Sequence, residues 1–467
     1  MLKKVGIIGI GIIILGVIGV SSIENLDEDL AVEEPKEQQP VPILDNTNDI
    51  TTDVKIIIQG DSDQGSFNDP LLQGFLASAR IEMDKDLVRE LKPHFWRVGD
   101  FGSNQIVREL IPDVKTQIVL SDLFVEKAAT KPWTNWDEYE QKVRTLVQHS
   151  KDNSPVDYWD VWSEPDHLWT GTTEQFFETV KRTHDVIRAV DPDANLVGPS
   201  ISYYDEKFLE TYLDFLVANN LQFDAISWHE FNIPEELPSH VNSVRNMIAE
   251  RPALGNMEIQ INEFVSGQNH LIPGWTAGWI YYLEEAEVDW ANRACWEREI
   301  GDMALTSECV KGLNGVFAED EKTPQAVYWV HKYYADMKGT KLYVNSLEPK
   351  VVALASKVDD SESIQIMVGR YSCGQTNAWC NFSPSAVPDT PFSPINLEIV
   401  LDDYPYVDVT SVKVSTEKIP FFYGSVNLPR PQMLEPYSLV VKNNTISILI
   451  SNFGDGEVLR LLLEPES

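Results

Sequence analysis

Six polar side chains stand where short apolar runs of the chain end, and their types suit acid–base chemistry. They are Arg97 in FWRVGD, Asp122 in LSD, Glu164 in WSEPD, His229 in SWHEF, Glu263 in INEF and Glu297 just after Trp296. Charged groups near a common mouth are costly to desolvate unless they are paired, so a ring of them marks a candidate site. Within the ring, Glu164 and Glu263 form the pair of greatest interest. Two carboxyl groups on opposite sides of a glycosidic bond can cleave it, one acting as acid and the other ionised. In the retaining form of this chemistry they sit about 5 to 5.5 Å apart and the ionised one attacks the anomeric carbon. Arg97 beside Glu263 would keep that carboxylate charged, and an apolar wall beside Glu164 would favour its protonated form. Trp162, Trp228 and Trp296 are the candidates for that wall.

The elements that must position these groups follow from the apolar pattern. Near-continuous apolar runs, rather than strict alternation, suit parallel strands buried on both faces. Such runs occur at 54–58 (VKIII), 94–98, 117–120, 158–162, 196–198, 224–228, 258–261 and 289–296. Between the fourth and fifth, Thr172 and Gln175 have the spacing of a capping box. Phe177, Val180, His184, Ile187 and Val190 then recur at helical steps, and Asp191-Pro192 ends the helix. Eight strand–helix units over 51–340 predict a (β/α)8 TIM barrel, whose working residues belong at the C-terminal strand ends. Strands four and seven, which carry Glu164 and Glu263, lie three steps apart around such a barrel. A doubly wound open sheet is the alternative, but no Gly-rich phosphate loop follows the first strand. From 341 to 467 short β-type runs separated by Gly, Pro, Asn and Asp predict a C-terminal all-β sandwich.

The remaining composition bounds partners and place. The 467 residues carry a formal net charge of −36, from 73 acidic against 37 basic side chains. That surface repels nucleic acid and anionic lipid. Lys3 and Lys4 precede an uncharged apolar run from Val5 to Val20, followed by Ser21 and Ser22. Residues 1–22 therefore read as an export signal or an N-terminal membrane anchor. Residues 23–50, crowded with acids and prolines, read as a disordered tether. An extracellular or surface-anchored location is expected, with the N-terminal segment as a candidate for membrane contact. Cys295, Cys309, Cys373 and Cys380 then become disulfide candidates, paired 373–380 and 295–309. Their spacing does not suit a zinc ribbon. With no metal-ligand spacing, no phosphate loop and no Ser-His-Asp order, neither a metal nor a cofactor is expected.

Taken together, WDVWSEPD resembles the strand-four acid/base motif of clan A glycoside hydrolases, usually Trp-Asn-Glu-Pro, and INEF resembles their strand-seven nucleophile motif. SWHEF and LNGVFAEDEKTPQAVYWVHKYYADMKG are similar to segments of the β-xylosidase and α-iduronidase-like family 39. The resemblance implies a retaining glycosidase acting on oligo- or polysaccharides, with Glu164 as acid/base and Glu263 as nucleophile. It implies that Arg97, Ser163, His229 and Trp296 bind substrate. Ser163 departs from the family, which carries Asn there to hold the sugar 2-hydroxyl. Serine is shorter, so the substrate differs at that carbon, turnover is slower, or the barrel is a decayed saccharide-binding or envelope protein. Singly, Asp122 and Glu297 read as structural. Trp133, Trp136, Trp169, Trp275 and Trp279 are placed to stack on sugars only as a group.

Overall fold

The computed structural model describes residues 51–467 except 68–71, 77–82, 125–129, 232, 266–268, 295, 298–307, 310–311, 319, 373–391, 422–427, 429 and 467. For 296–297 and 308–309 only the backbone is described. The proposed signal, the acidic tether and the side chains of all four cysteines therefore lie outside the described residues. No helix among the described residues is long and apolar enough to cross a membrane.

The chain begins with β1 (Val54–Gln59), followed by β2 (Gly74–Leu76), α1 (Lys85–Glu90), β3 (Phe95–Val98), α2 (Phe101–Leu110) and β4 (Lys115–Val119). Then come α3 (Trp136–Asn153), β5 (Tyr158–Asp160), α4 (Pro165–Leu168), α5 (Thr173–Val190), β6 (Asn195–Ile201), α6 (Glu206–Ala218) and β7 (Ala225–Glu230). The barrel part ends with α7 (Leu237–Ala249), β8 (Glu258–Phe264), α8 (Pro273–Glu285), β9 (Trp290–Arg293), β10 (Trp296–Glu297), β11 (Glu308–Cys309) and α9 (Ala326–Asp336). The β-rich part holds β12 (Thr340–Lys341), β13 (Tyr343–Ser346), β14 (Val351–Val358), β15 (Ser363–Arg370), β16 (Ile395–Asp402) and β17 (Ser411–Ile419). It closes with β18 (Gln432–Met433), β19 (Tyr437–Val440), β20 (Ile446–Phe453) and β21 (Val458–Pro465).

Strands β2 to β9 close into a parallel eight-stranded barrel with helices between them, as the alternation predicts. Its first strand is a correction. VKIII is not a barrel strand but β1, which pairs in parallel with β16 and antiparallel with β13. Only Ile56 and Ile58 of the run are fully buried, so β1 covers a one-sided core and not a two-sided one. The three-residue strand Gly74–Leu76 takes its place in the barrel. The sandwich therefore draws one strand from before the barrel. One of its sheets is β13-β1-β16-β20, and the other is built around β14, β15, β21 and β17. Between them they enclose a core that includes Ile56, Ile58, Val368, Leu397, Ile399, Val412 and Leu461.

Local chemistry explains the elements that matter for the site. Helix α5 starts with the capping box at Thr172 and Gln175 and ends at Asp191, as the spacing requires. Its buried face is turned by about one residue from the expected one, onto Phe176, Thr179, Val180, Thr183, Val186 and Ile187. The polar member Thr183 is satisfied there by the Tyr139 hydroxyl of α3 at 2.6 Å. Helix α8 lies against the sandwich. A Cβ on Gly274 would stand 1.9 Å from the Arg370 carbonyl oxygen, so only glycine permits this approach. Trp275 donates to the Ser372 carbonyl at 3.0 Å and its ring packs on Tyr371. Trp275 and Trp279 are both fully buried, so these two tryptophans are packing residues and not sugar platforms.

Candidate active site

The site grows from the inner polar layer of the barrel. Arg97 on β3 is fully buried and reaches two carboxylates. Its Nε and Nη2 donate to Asp160 Oδ2 at 3.0 and 2.8 Å, and its Nη1 donates to Glu263 Oε1 at 2.7 Å. Burial alone would lower the guanidinium pKa, but Asp160 and then Glu263 outweigh it and hold the group above its ordinary value. Arg97 is thus a fixed positive charge.

Two irregularities in the strands build the rest of the layer. Between β6 and β7 the register skips Ser200, and between β7 and β8 it skips Asn262. An extra residue in one strand re-aims the side chains around it. Ser200 Oγ donates to Asp160 Oδ1 at 2.8 Å, and Asn262 Nδ2 donates to Ser200 Oγ at 2.8 Å. Because of the second irregularity, Glu263 as well as Asn262 reaches the inner layer, although strict alternation would send one of them outward.

Glu164 follows β5 by four residues. Its backbone is left-handed, with φ of 54°, and Pro165 begins α4 directly after it. That conformation is unfavourable for a residue with a side chain and needs support from its surroundings. The support is a hydrogen bond from Glu164 N–H to the Ser200 carbonyl at 2.8 Å and one from Leu168 N–H to the Glu164 carbonyl at 2.7 Å. Asp166 adds a further tie by accepting from the Ser202 backbone N–H at 2.9 Å.

His229 on β7 stands between the two glutamates. Its Nδ1 is 3.4 Å from Glu164 Oε1 and its Nε2 is 3.6 Å from Glu263 Oε1. The imidazole is fully buried, whereas the Glu164 side chain retains 22% of its exposure and Glu263 only 2%. One ring therefore faces both carboxyl groups, one partly wet and the other dry and paired with a cation.

The other expected residues fall as follows. Ser163 is buried, and its backbone N–H donates to Ser121 Oγ at 3.3 Å. Trp162 packs edge-on to Trp169 with ring centroids 4.8 Å apart, beside the Glu164 turn. Trp228 spends its indole N–H on Glu230 at 2.7 Å, and Glu230 also meets His240 at 2.7 Å. Asp122 contributes to the field at Arg97. The side chains of Trp296 and Glu297 lie outside the described residues. Sequence reasoning missed Asp160, Ser200 and Asn262. Asp160 stood in the open within WDVWSEPD, an acid in an apolar strand that can be buried only if paired. Among the described residues no group of three or more His, Cys, Asp or Glu is arranged to hold a metal ion. A cavity of about 660 Å³ near Phe124 and Tyr139, at the start of α3, touches none of the strand-end pair.

Comparison with known proteins agrees with this architecture. Residues 121–317 match the model for glycosyl hydrolases family 39, a span that contains both glutamates. A curated β-xylosidase of Caldicellulosiruptor saccharolyticus is 26% identical over 117 residues. That match covers 23% of this chain and 24% of the relative, so it spans about a quarter of each. A monomeric β-xylosidase of Caulobacter crescentus shares the fold at a TM-score of 0.66 and 14% identity, covering 88% of this chain and 100% of its own. The family 39 enzyme of Xanthomonas axonopodis pv. citri does so at 0.65 and 14%, covering 88% and 97%. A protein of Neocallimastix frontalis does so at 0.71 and 20%, covering 88% and 100%. The resemblance to family 39 glycosyl hydrolases carried by the strand-end motifs thus holds in sequence, and the barrel with its β-rich partner holds in fold.

Proposed function

We propose that this chain, whose resemblance to family 39 glycosyl hydrolases runs through both strand-end glutamates, is a retaining glycosidase. The observation that carries the reading is the single imidazole of His229 facing Glu164 and Glu263, with Arg97 bonded to the second. Glu263, dry and held by a permanent cation, is suited to remain ionised and attack the anomeric carbon. Glu164, partly wet and beside Trp162 and Trp169, is suited to exchange a proton with the leaving oxygen and then with water. In the first step the Glu263 oxygen bonds to the sugar as the glycosidic bond breaks and Glu164 gives its proton. In the second, Glu164 takes a proton from water, which displaces Glu263 and restores both groups.

The relatives bear on the substrate class. The match to a curated β-xylosidase, 26% identical over part of the chain, favours a β-xyloside as the substrate. Action outside the cell on surface or free saccharides fits the N-terminal pattern of charge and apolar residues. Ser163 in place of the usual Asn favours a weaker hold on the sugar 2-hydroxyl.

Replacing Glu164 by Gln tests the acid/base role. Turnover of a glycoside with a poor leaving group should fall strongly, while a nitrophenyl glycoside should recover rate when azide is added. Unchanged turnover in Glu164→Gln removes this residue from the mechanism. A protein that binds glycans but turns none over supports the decayed-barrel alternative instead.

A further inference from the structure

A groove of about 510 Å³ lies between α8 and β13. Its size falls within the range of roughly 300–1,000 Å³ typical of small-molecule sites. On the α8 side it is lined by Tyr281 and Glu285, and on the β13 side by Tyr343 and Asn345. Tyr343 keeps 43% of its surface exposed, which leaves its ring open to a ligand. None of the strand-end residues Arg97, Glu164, His229 or Glu263 lines this groove.

We propose that the groove is a second saccharide-binding site, taking a neutral sugar against the rings of Tyr281 and Tyr343. Three features favour a neutral polyhydroxylated ligand. Aromatic faces accept the C–H face of a pyranose, while flanking carboxylates and amides take its hydroxyl groups. The lining cation Lys341 is already engaged by Glu284 and lies 4.9 Å over the Phe67 ring, which disfavours an anionic ligand. Among the described residues no metal-ligand cluster exists, so the acids of the groove do not form a cation site. Burial, then the neighbouring Glu285, raise the Tyr281 phenol above its ordinary value; it keeps its proton and donates it to Glu285, which leaves carboxylate lone pairs of Glu285 to accept from sugar hydroxyl groups. The site stands whether or not the strand-end pair cleaves glycosides. If it does, the groove would hold a polymer to the enzyme away from the point of cleavage.

Native gel electrophoresis in soluble arabinoxylan, mixed-linkage β-glucan or dextran reads this binding as loss of mobility. The full chain should be retarded by at least one of the three. Tyr343→Ala and Tyr281→Ala should each weaken that retardation by roughly three- to tenfold, the effect of losing one ring contact. Glu263→Gln should retain it. Absence of retardation by all three polymers overturns the site. So does equal retardation of the tyrosine variants, or loss confined to Glu263→Gln. Turnover of a nitrophenyl xyloside or glucoside, measured in parallel, reports on the strand-end site separately. A chain that turns over such a glycoside but is not retarded keeps the glycosidase reading and loses the groove.

Discussion

Ser200 and Asn262, the extra residues of two separate strand irregularities, hydrogen-bond to each other at 2.8 Å inside the barrel. Ser200 also holds Asp160, and its carbonyl holds the backbone of Glu164. Asn262 directly precedes Glu263. One contact thus links the turn that carries the proposed acid to the strand that carries the proposed nucleophile.

Asn262→Ala should therefore act on both glutamates. It removes the amide that donates to Ser200 Oγ at 2.8 Å and to Asp160 Oδ2 at 3.3 Å in a buried layer, which costs about 1–3 kcal/mol. The expected result is a lower denaturation midpoint together with a kcat loss larger than any change in KM. A variant with the stability of the parent and unchanged kcat would show that the contact positions nothing.

Arg97 offers a sharper separation of charge from geometry. Arg97→Met leaves two buried carboxylates without their cation, and loss of one member of a buried ion pair costs about 3–5 kcal/mol. Arg97→Lys keeps the charge but lacks the fork that reaches Asp160 and Glu263 at once. It should be more stable than Arg97→Met in urea and still have a markedly lower kcat. Equal stability of the two variants would contradict a charge-based role.

How much of this was legible in the sequence differs from residue to residue. Glu164, Glu263, Arg97 and His229 could be marked because each follows an apolar run, and the structure brings all four together. Ser200 and Asn262 were not legible, because a skipped register depends on the neighbouring strand and leaves no local pattern. The same limit misplaced β1. Three consecutive isoleucines look like a strand buried on two sides, and one of their two partner strands, β16, lies more than three hundred residues away. Trp275 and Trp279 were ambiguous for a different reason. An aromatic ring packs equally well on a sugar or on a neighbouring sheet, and only the fold brings Tyr371 to Trp275.

His331 predicts a dependence of stability on pH. It is buried on α9, meets the Gln73 side chain at 2.9 Å, and is held well below its ordinary value by burial and then by Arg293. The folded state therefore keeps it neutral, while the unfolded chain takes up a proton near pH 6.5. Its contribution is fully present above about pH 6.5 and is lost as pH falls below it, by up to about 1.4 kcal/mol per unit. Urea midpoints measured from pH 7.5 down to 5 should fall more steeply in the parent than in His331→Gln. Parallel profiles would exclude His331 as a source of acid sensitivity.

Ser163 predicts the response to a missing hydroxyl. With a serine in the place of the usual Asn, removal of the substrate 2-hydroxyl should cost less than the several kcal/mol such contacts can supply. Comparison of kcat/KM for a nitrophenyl glycoside and its 2-deoxy analogue checks this. A penalty of that full size would mean that another group, or a bridging water, does the work of the amide.

The most direct test of the paired-carboxylate mechanism is mass spectrometry of the protein after reaction with a 2-deoxy-2-fluoro glycoside bearing a good leaving group. The mechanism predicts one covalent sugar on the peptide containing Glu263, and none after Glu263→Gln. A sugar attached to any other residue, or an inverted anomeric product from an unlabelled enzyme, would contradict it.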